Sequence, residues 1–272
     1  MGLRTALGLK QRRQQLPKPT RLELPADYPW PNVSTVISER DEMLSGTDTA
    51  HYLAVGVSAM ASITRAISLN NTGHVTSILD MPCGHGRVTR VLRSAYPDAD
   101  ITVSDLDTDA VAFCAQTFNA NPQPSQPDFR TLEFGRTFDV IWVGSLITHL
   151  PVDAVSAFLA FAVRHLSSKG VAVLSSHGPF VAARIQTSVM QGEQGYGTEN
   201  GAAREMLAHY FKEGFGYADY PGIDTAVQHY GISIISREWL TTHIKDAGGN
   251  VLFYQDHGWD GHHDVVAFRR KS

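Results

Sequence analysis

The chain has 272 residues, 43% hydrophobic and 18% charged, the balance of a globular protein long enough to bury a substantial core as one domain with elaborations. Its formal net charge of −4 leaves no basic footprint for nucleic acid. No apolar run approaches bilayer length, the N-terminus lacks a secretory signal, and the two cysteines (Cys83 and Cys114) make no disulfide framework, so the expectation is a cytoplasmic protein with free thiols.

Residues 1–24 are locally basic, with Arg4, Lys10, Arg12, Arg13, Lys18 and Arg21 against Glu23. Pro17 and Pro19 interrupt their few apolar residues, which predicts a solvated tail, and PADYPWPNVS (25–34) reads as a linker. The expected division is a tail and linker over 1–40 and one domain over 41–272. A helix follows with Leu53, Val57, Met60, Ile63 and Ile67 at spacings of three and four, the helical part of a lid over 41–70.

From residue 75 strand and helix patterns alternate, which argues for a parallel α/β sheet. The first strand is VTSILDM (75–81), followed by a helix carrying Val88, Val91, Leu92 and Tyr96 that stops before Pro97. The second is ADITVSD (99–105), with Val111, Cys114, Ala115 and Phe118 on the helix behind it. Residues 119–137 hold so much Pro, Asn and Gln that any third strand is short. FDVIWVG (138–144) is a doubly buried strand, and Pro151 opens a helix with Val155, Phe158, Leu159, Ala162 and Leu166 on its stripe. Gly170 leads into a fifth strand, VAVLSSH (171–177).

The alternation breaks at 178. A stretch rich in Gly and Tyr, with one helical piece near Ala202–Phe211, is too long for a connection and predicts a cap over 178–235. Ser236 then caps a helix containing Trp239, Leu240 and Ile244, which Gly248–Gly249 ends. NVLFYQ (250–255) and DVVAFRR (264–270) close the chain as an antiparallel hairpin, because DHGWDGHH is too short for a crossover.

LDMPCGHGR (79–87) is a glycine turn between a strand and a helix, the place where open α/β sheets bind ligands. Gly84 and Gly86 permit close approach to the backbone, and Asp105, at the tip of the next strand, is spaced to accept ribose hydroxyls. A dinucleotide fingerprint would need Gly or Ala where Thr89 stands, and a P-loop would need Gly-Lys-Ser/Thr. Ser145 lacks the second glycine of a hydrolase elbow.

ILDMPCGHG, VSD (103–105), FDVIWVGSLITHLP (138–151) and the terminal hairpin together resemble the class I S-adenosylmethionine-dependent methyltransferases. Pro82 replaces the first glycine of their first motif; LDxPCGHGR with HYLAVG (51–56) and GWD (258–260) is similar to a branch of unassigned substrate. The resemblance implies a Rossmann-like, mostly parallel seven-stranded sheet with an antiparallel last strand, a helical lid and a cap. It also implies S-adenosylmethionine as cofactor, with Asp80, Pro82, Gly84, Gly86, Arg87, Asp105, Leu106 and Ser145 around it. Arg87 is placed to reach its carboxylate, or else is an exposed first-turn arginine.

Methyl transfer to a hydroxyl benefits from a general base, and His149 and His177 stand at strand ends on the expected site edge. The alternative for His149 is to order its loop by bonding backbone. His51 and Tyr52 on the lid, with Tyr220 and Tyr230 among the cap's aromatics (Tyr196, Tyr210, Phe211, Phe215 and Tyr217 are the others), are expected to line an acceptor pocket. The cluster His257, Asp260, His262, His263 and Asp264 matches no standard zinc spacing and reads as a polar turn, so no metal site is expected. The Asn/Asp-Pro-Pro-Tyr motif of planar-amine methylation is absent after the fourth strand. The expected activity is O-methylation of a small hydroxylated metabolite or a glycan. The alternatives are N-methylation of an amine or protein side chain, and a cofactor-binding regulator without turnover.

Overall fold

Strand β1 (Ser77–Asp80) is buried along its whole length, as a strand covered on both faces must be. In the computed structural model, which describes residues 21–30, 32–44, 46–222 and 229–271, it sits third in a seven-stranded sheet, between two parallel neighbours. Most of the expected basic tail falls outside those residues. Strands β2 (Asp100–Val103), β3 (Asn121–Pro122), β4 (Phe138–Val143), β5 (Leu166–Ser176), β8 (Gly249–Trp259) and β9 (His263–Arg270) complete the order β3-β2-β1-β4-β5-β9-β8. Every pairing from β3 to β5 is parallel, and β9 alone runs antiparallel to both neighbours. The chain leaves β1 first toward β2 and later toward β4, so a crevice opens at their carboxyl ends.

One face of the sheet is covered by α1 (Thr49–Asn70), α2 (Thr89–Ala95) and α3 (Thr108–Phe118), the other by α4 (Val152–His165) and α7 (Arg237–Asp246). The caps read from sequence are present: Asp107 accepts from the amides of Asp109 and Ala110, and Ser236 from that of Trp239. Leu166, expected to end the α4 stripe, instead begins β5, which starts before Gly170. Residues 22–44, expected as linker and lid, are packed: Leu22, Tyr28, Val33, Ile37 and Leu44 join the α1–α3 core. Arg90, buried in α2, holds them by donating to the carbonyls of Ser34 (2.7 Å) and Val36 (3.0 Å).

Helix α1 is long and apolar enough, by length and composition, to cross a membrane, contrary to the expectation that no run is. Its residues Leu53, Ala59, Met60, Ile63 and Ala66 are buried in the protein core, and one such helix does not establish a membrane span.

The cap has more order than expected. Helices α5 (Pro179–Gln191) and α6 (Asn200–Glu213) precede an antiparallel pair, β6 (Phe215–Asp219) and β7 (Gly231–Ile235). Val181, Ile185, Met206, Tyr220, Ile232 and Ile234 form its own apolar core. Only α6 was expected; α5, which was not, opens on Pro179 in its first turn, where proline is tolerated.

Candidate active site

The glycine loop is fastened on both sides. The Met81 amide donates to the Trp142 carbonyl of β4 (3.1 Å), and the Cys83 amide to the Ser104 carbonyl beyond β2 (3.0 Å). Pro82, between them, has no amide to place. Gly84 has φ +47° and its amide donates to Asp105 Oδ2 at 2.9 Å. A Cβ built on Gly84 would meet nothing within 4 Å, so this backbone faces open space. Gly86 differs: at φ +82°, its Cβ would run into the Phe118 ring, so this glycine admits α3 rather than a ligand. The expectation that both glycines open the loop is corrected for Gly86.

Asp105 also accepts from the Asp107 amide at 3.0 Å, and burial pushes its carboxyl up from the ordinary value. Two backbone donors leave further lone pairs on the carboxylate for ligand hydroxyls. Leu106 beside it is half exposed. Asp80, at the end of β1, is buried and accepts from Thr89 Oγ1 at 2.6 Å. Burial pushes its carboxyl up to about 7, opposed by the Thr89 bond and reinforced by Asp105. Ser145 has φ +58°, donates its amide to Ser175 Oγ (2.8 Å) and pairs its hydroxyl with Thr148 (3.1 Å), so its donors are engaged within the protein. The thiols of Cys83 and Cys114 are both buried and unbridged, and Cys114 Sγ lies 3.3 Å from the Gly84 carbonyl.

HYLAVG, PCGHGR and GWD meet at one junction. Trp259 Nε1 donates to the Val55 carbonyl (3.0 Å), Ser58 Oγ accepts from the Asp260 amide (3.0 Å), and His51 Nε2 lies 3.4 Å from Asp260 Oδ2. The Arg87 guanidinium sits between the rings of Tyr52 (5.9 Å) and Trp259 (5.7 Å) and, among the described residues, no carboxylate lies within ion-pair distance of it. Tyr52 itself is buried, with its hydroxyl donating to Asp41 (2.6 Å) and accepting from Arg90 (3.2 Å). It is a post under the loop, and His51 is on the exposed side of the junction; neither stands in the cap's aromatic cluster.

The cap hairpin closes over the carboxyl edge of the sheet. His149 Nδ1 lies 2.8 Å from the Gly231 carbonyl and 3.3 Å from the Tyr220 hydroxyl, and Tyr230 stacks on the ring at 5.1 Å. The bond to Gly231 requires a proton on Nδ1 and leaves the Nε2 lone pair. Burial lowers the His149 pKa, keeping the ring neutral. Burial, and then the charges of Tyr220 and Asp105, pushes the Tyr230 phenol up from its ordinary value.

His177, at the end of β5, is buried and holds Nδ1 3.2 Å from the Ser233 carbonyl. Its ring meets those of His263 (4.9 Å), His262 (5.7 Å) and His149 (6.5 Å). Burial, and then the other imidazoles, holds its pKa well below the ordinary histidine value, and His263 is pushed down to about 3. The sequence reading of 257–264 as a polar turn missed this convergence: adjacent residues were expected on opposite faces, but His262 lies in the turn, outside the ladder that His263 begins.

Residues 78–170 match the sequence model of a family described as a methyltransferase domain. Ribosomal RNA large subunit methyltransferase G of Streptomyces coelicolor is 29% identical over 131 residues, which are 47% of this chain and 34% of that protein. The chain thus spans about a third of the length of that curated relative. A solved S-adenosylmethionine-dependent methyltransferase from Clostridium acetobutylicum superposes with a TM-score of 0.54 at 14% identity, covering 79% of this chain and 92% of that one. The sugar N-methyltransferase KedS8 from Streptoalloteichus gives 0.53 at 17% identity, covering 80% and 88%. The amino pentose methyltransferase CalS10 from Micromonospora echinaspora, solved with S-adenosylmethionine bound, gives 0.52 at 18%, covering 79% and 91%. With the strand order, these likenesses show the class I S-adenosylmethionine-dependent methyltransferase fold, within which residues 78–170 match the methyltransferase-domain model.

Proposed function

We propose that the protein is an S-adenosylmethionine-dependent methyltransferase that O-methylates a small hydroxylated metabolite or a glycan. The observation that carries the cofactor is the pairing of Gly84 and Asp105: an open left-handed glycine whose amide is tied to the carboxylate at the next strand tip. Asp105 would hold the ribose hydroxyls, Leu106 would cover the adenine edge, and Asp80 with Arg87 would receive the aminoacyl end. The bound cofactor supplies an electrophilic methyl group; this chain's residues bind, orient and exclude water, an effect worth up to roughly 7–11 kcal/mol when geometry is held at near-attack distance.

The acceptor side rests on the cap hairpin. Tyr220, Tyr230 and His149 gather at one point of the hairpin, aromatic walls carrying two hydroxyls and an imidazole that suit a small hydroxylated ligand. His149 is the better base, because its Nδ1 is fixed by the Gly231 carbonyl and Nε2 remains to take a proton. His177 lies deeper, enclosed by other imidazoles. The neighbours KedS8, a sugar N-methyltransferase, and CalS10, an amino pentose methyltransferase, make an amine the second acceptor class to test.

Incubation with methyl-labelled S-adenosylmethionine and panels of glycans, sugars and phenols tests the reading. Label transferred to a hydroxyl supports it. Label found only on amines moves the reading to N-methylation, and tight cofactor binding with no product across all panels overturns turnover altogether.

A further inference from the structure

Three histidines from distant or turn positions present ring nitrogens that all lie within 4.8 Å of one another: His177, His262 and His263. We propose that they form a divalent transition-metal site, with an open coordination position for the acceptor's hydroxyl.

The ring geometry supports it. An imidazole nitrogen stands about 2.0–2.1 Å from zinc, which puts the ring centre about 3.2 Å from the ion; ligands at roughly 100–125° then have ring centres about 4.9–5.7 Å apart. The observed separations are 4.9 Å for His177–His263, 4.9 Å for His262–His263 and 5.7 Å for His177–His262. His177 also has the second bond typical of a metal ligand: Nδ1 donates to the Ser233 carbonyl (3.2 Å), which orients Nε2 as the free donor.

His263 Nδ1 is buried and has no hydrogen-bond partner, an arrangement that costs free energy unless something binds it. His262 Nε2 has only the Tyr196 hydroxyl at 3.5 Å, a contact too long to hold the ring. Three imidazoles without a carboxylate or thiolate favour a borderline ion such as Zn²⁺, Co²⁺ or Ni²⁺ over Mg²⁺ or Ca²⁺. Three protein ligands also leave a position open, the pattern of catalytic sites. The cluster adjoins His149, so an acceptor hydroxyl coordinated there would lie beside the proposed base and gain acidity. This acceptor role rests on the methyltransferase reading; ion binding does not.

Chelator-stripped full-length protein, titrated with Zn²⁺ by calorimetry and with Co²⁺ by visible absorption, should take up one ion per chain. The Co²⁺ spectrum should show ligand-field bands of a four- or five-coordinate nitrogen site. His263→Ala and His262→Gln should each weaken binding about a hundredfold while still binding S-adenosylhomocysteine, which shows them folded. His209→Ala, on the exposed face of α6, should change nothing. Absence of saturable binding, or equal binding by wild type and both site variants, overturns the metal site. Stoichiometric binding with turnover identical in stripped and loaded protein overturns only the acceptor role, and ion binding without any methyl transfer leaves the site standing while the enzymatic reading fails.

Discussion

Thr89 Oγ1 donates to Asp80 Oδ2 at 2.6 Å, with both side chains buried at the head of the sheet. Thr89 is the residue that breaks a dinucleotide fingerprint, and the structure gives it a task of its own: it holds the carboxyl that ends β1. Asp80 is raised to about 7, chiefly by burial, whereas an unfolded aspartate titrates near 3.9. Between those values the folded chain binds the extra proton, so the contribution of Asp80 to stability is fully present below about pH 4 and is lost as pH climbs to about 7. The full span is on the order of 4 kcal/mol. Asp80→Asn should flatten that slope, and Thr89→Val should extend it to higher pH. Urea denaturation at closely spaced pH values, compared among the three proteins, measures both effects.

The two loop glycines should fail in different ways. Gly84 has space around it, so Gly84→Ala pays only the left-handed backbone, about 1–2 kcal/mol, yet fills the opening over the loop. The protein should fold and lose cofactor affinity by roughly tenfold or more. Gly86→Ala drives a methyl into the Phe118 ring and should cost about 2–4 kcal/mol of stability, partly recovered by Phe118→Leu. Denaturation midpoints and S-adenosylhomocysteine titrations on the same variants separate the two modes.

Asp105 joins the loop to the strand tip, so its removal strikes twice. Asp105→Ala leaves the Gly84 and Asp107 amides without their side-chain acceptor and, on the proposed reading, removes the carboxylate that would hold the ribose hydroxyls. A hydrogen bond to a charged group is worth about 1.5–3 kcal/mol, so affinity should fall by roughly ten- to a hundredfold or more. Asp105→Asn keeps an acceptor oxygen and should lose less. Calorimetric titration with S-adenosylhomocysteine ranks them, and an unchanged dissociation constant in the alanine variant would remove Asp105 from the site.

The sheet was legible because its signals are local. Doubly buried strands such as FDVIWV read as apolar runs, and Asp107 and Ser236 announce their helices by capping them. The glycine loop and Asp105 were legible for the same reason: each stands at a strand end that the pattern already located. What was missed depends on contacts remote in sequence. Nothing in Arg90 says that it holds Ser34 and Val36, and nothing in a turn ending His262–His263 says that β5 will bring His177 against it. Residues up to 40 read as tail and linker because prolines mask apolar residues too sparse for either period, although Leu22, Tyr28, Val33 and Ile37 fill the core over α1 and α2.

The junction of the three short motifs supplies the last prediction. Trp259 is 3% exposed, donates to the Val55 carbonyl and meets Trp142 edge-on at 5.3 Å, so it ties the β8–β9 turn to α1 over the centre of the sheet. Gly56, in the facing turn of α1, has no room for a side chain: a Cβ would approach Val91 Cγ2 to 2.8 Å and the Arg87 carbonyl to 3.1 Å. Trp259→Ala should cost about 3–5 kcal/mol, the range for deleting a large buried aromatic. It also removes one of the two rings that flank Arg87, so cofactor affinity should fall along with stability. Trp259→Phe keeps a ring but loses the indole donor, and should recover more of the affinity than of the stability, because Arg87 needs a ring face whereas the Val55 carbonyl needs the N–H. If both variants lose stability and affinity in the same proportion, the junction acts on the loop through the fold alone and not through the ring beside Arg87.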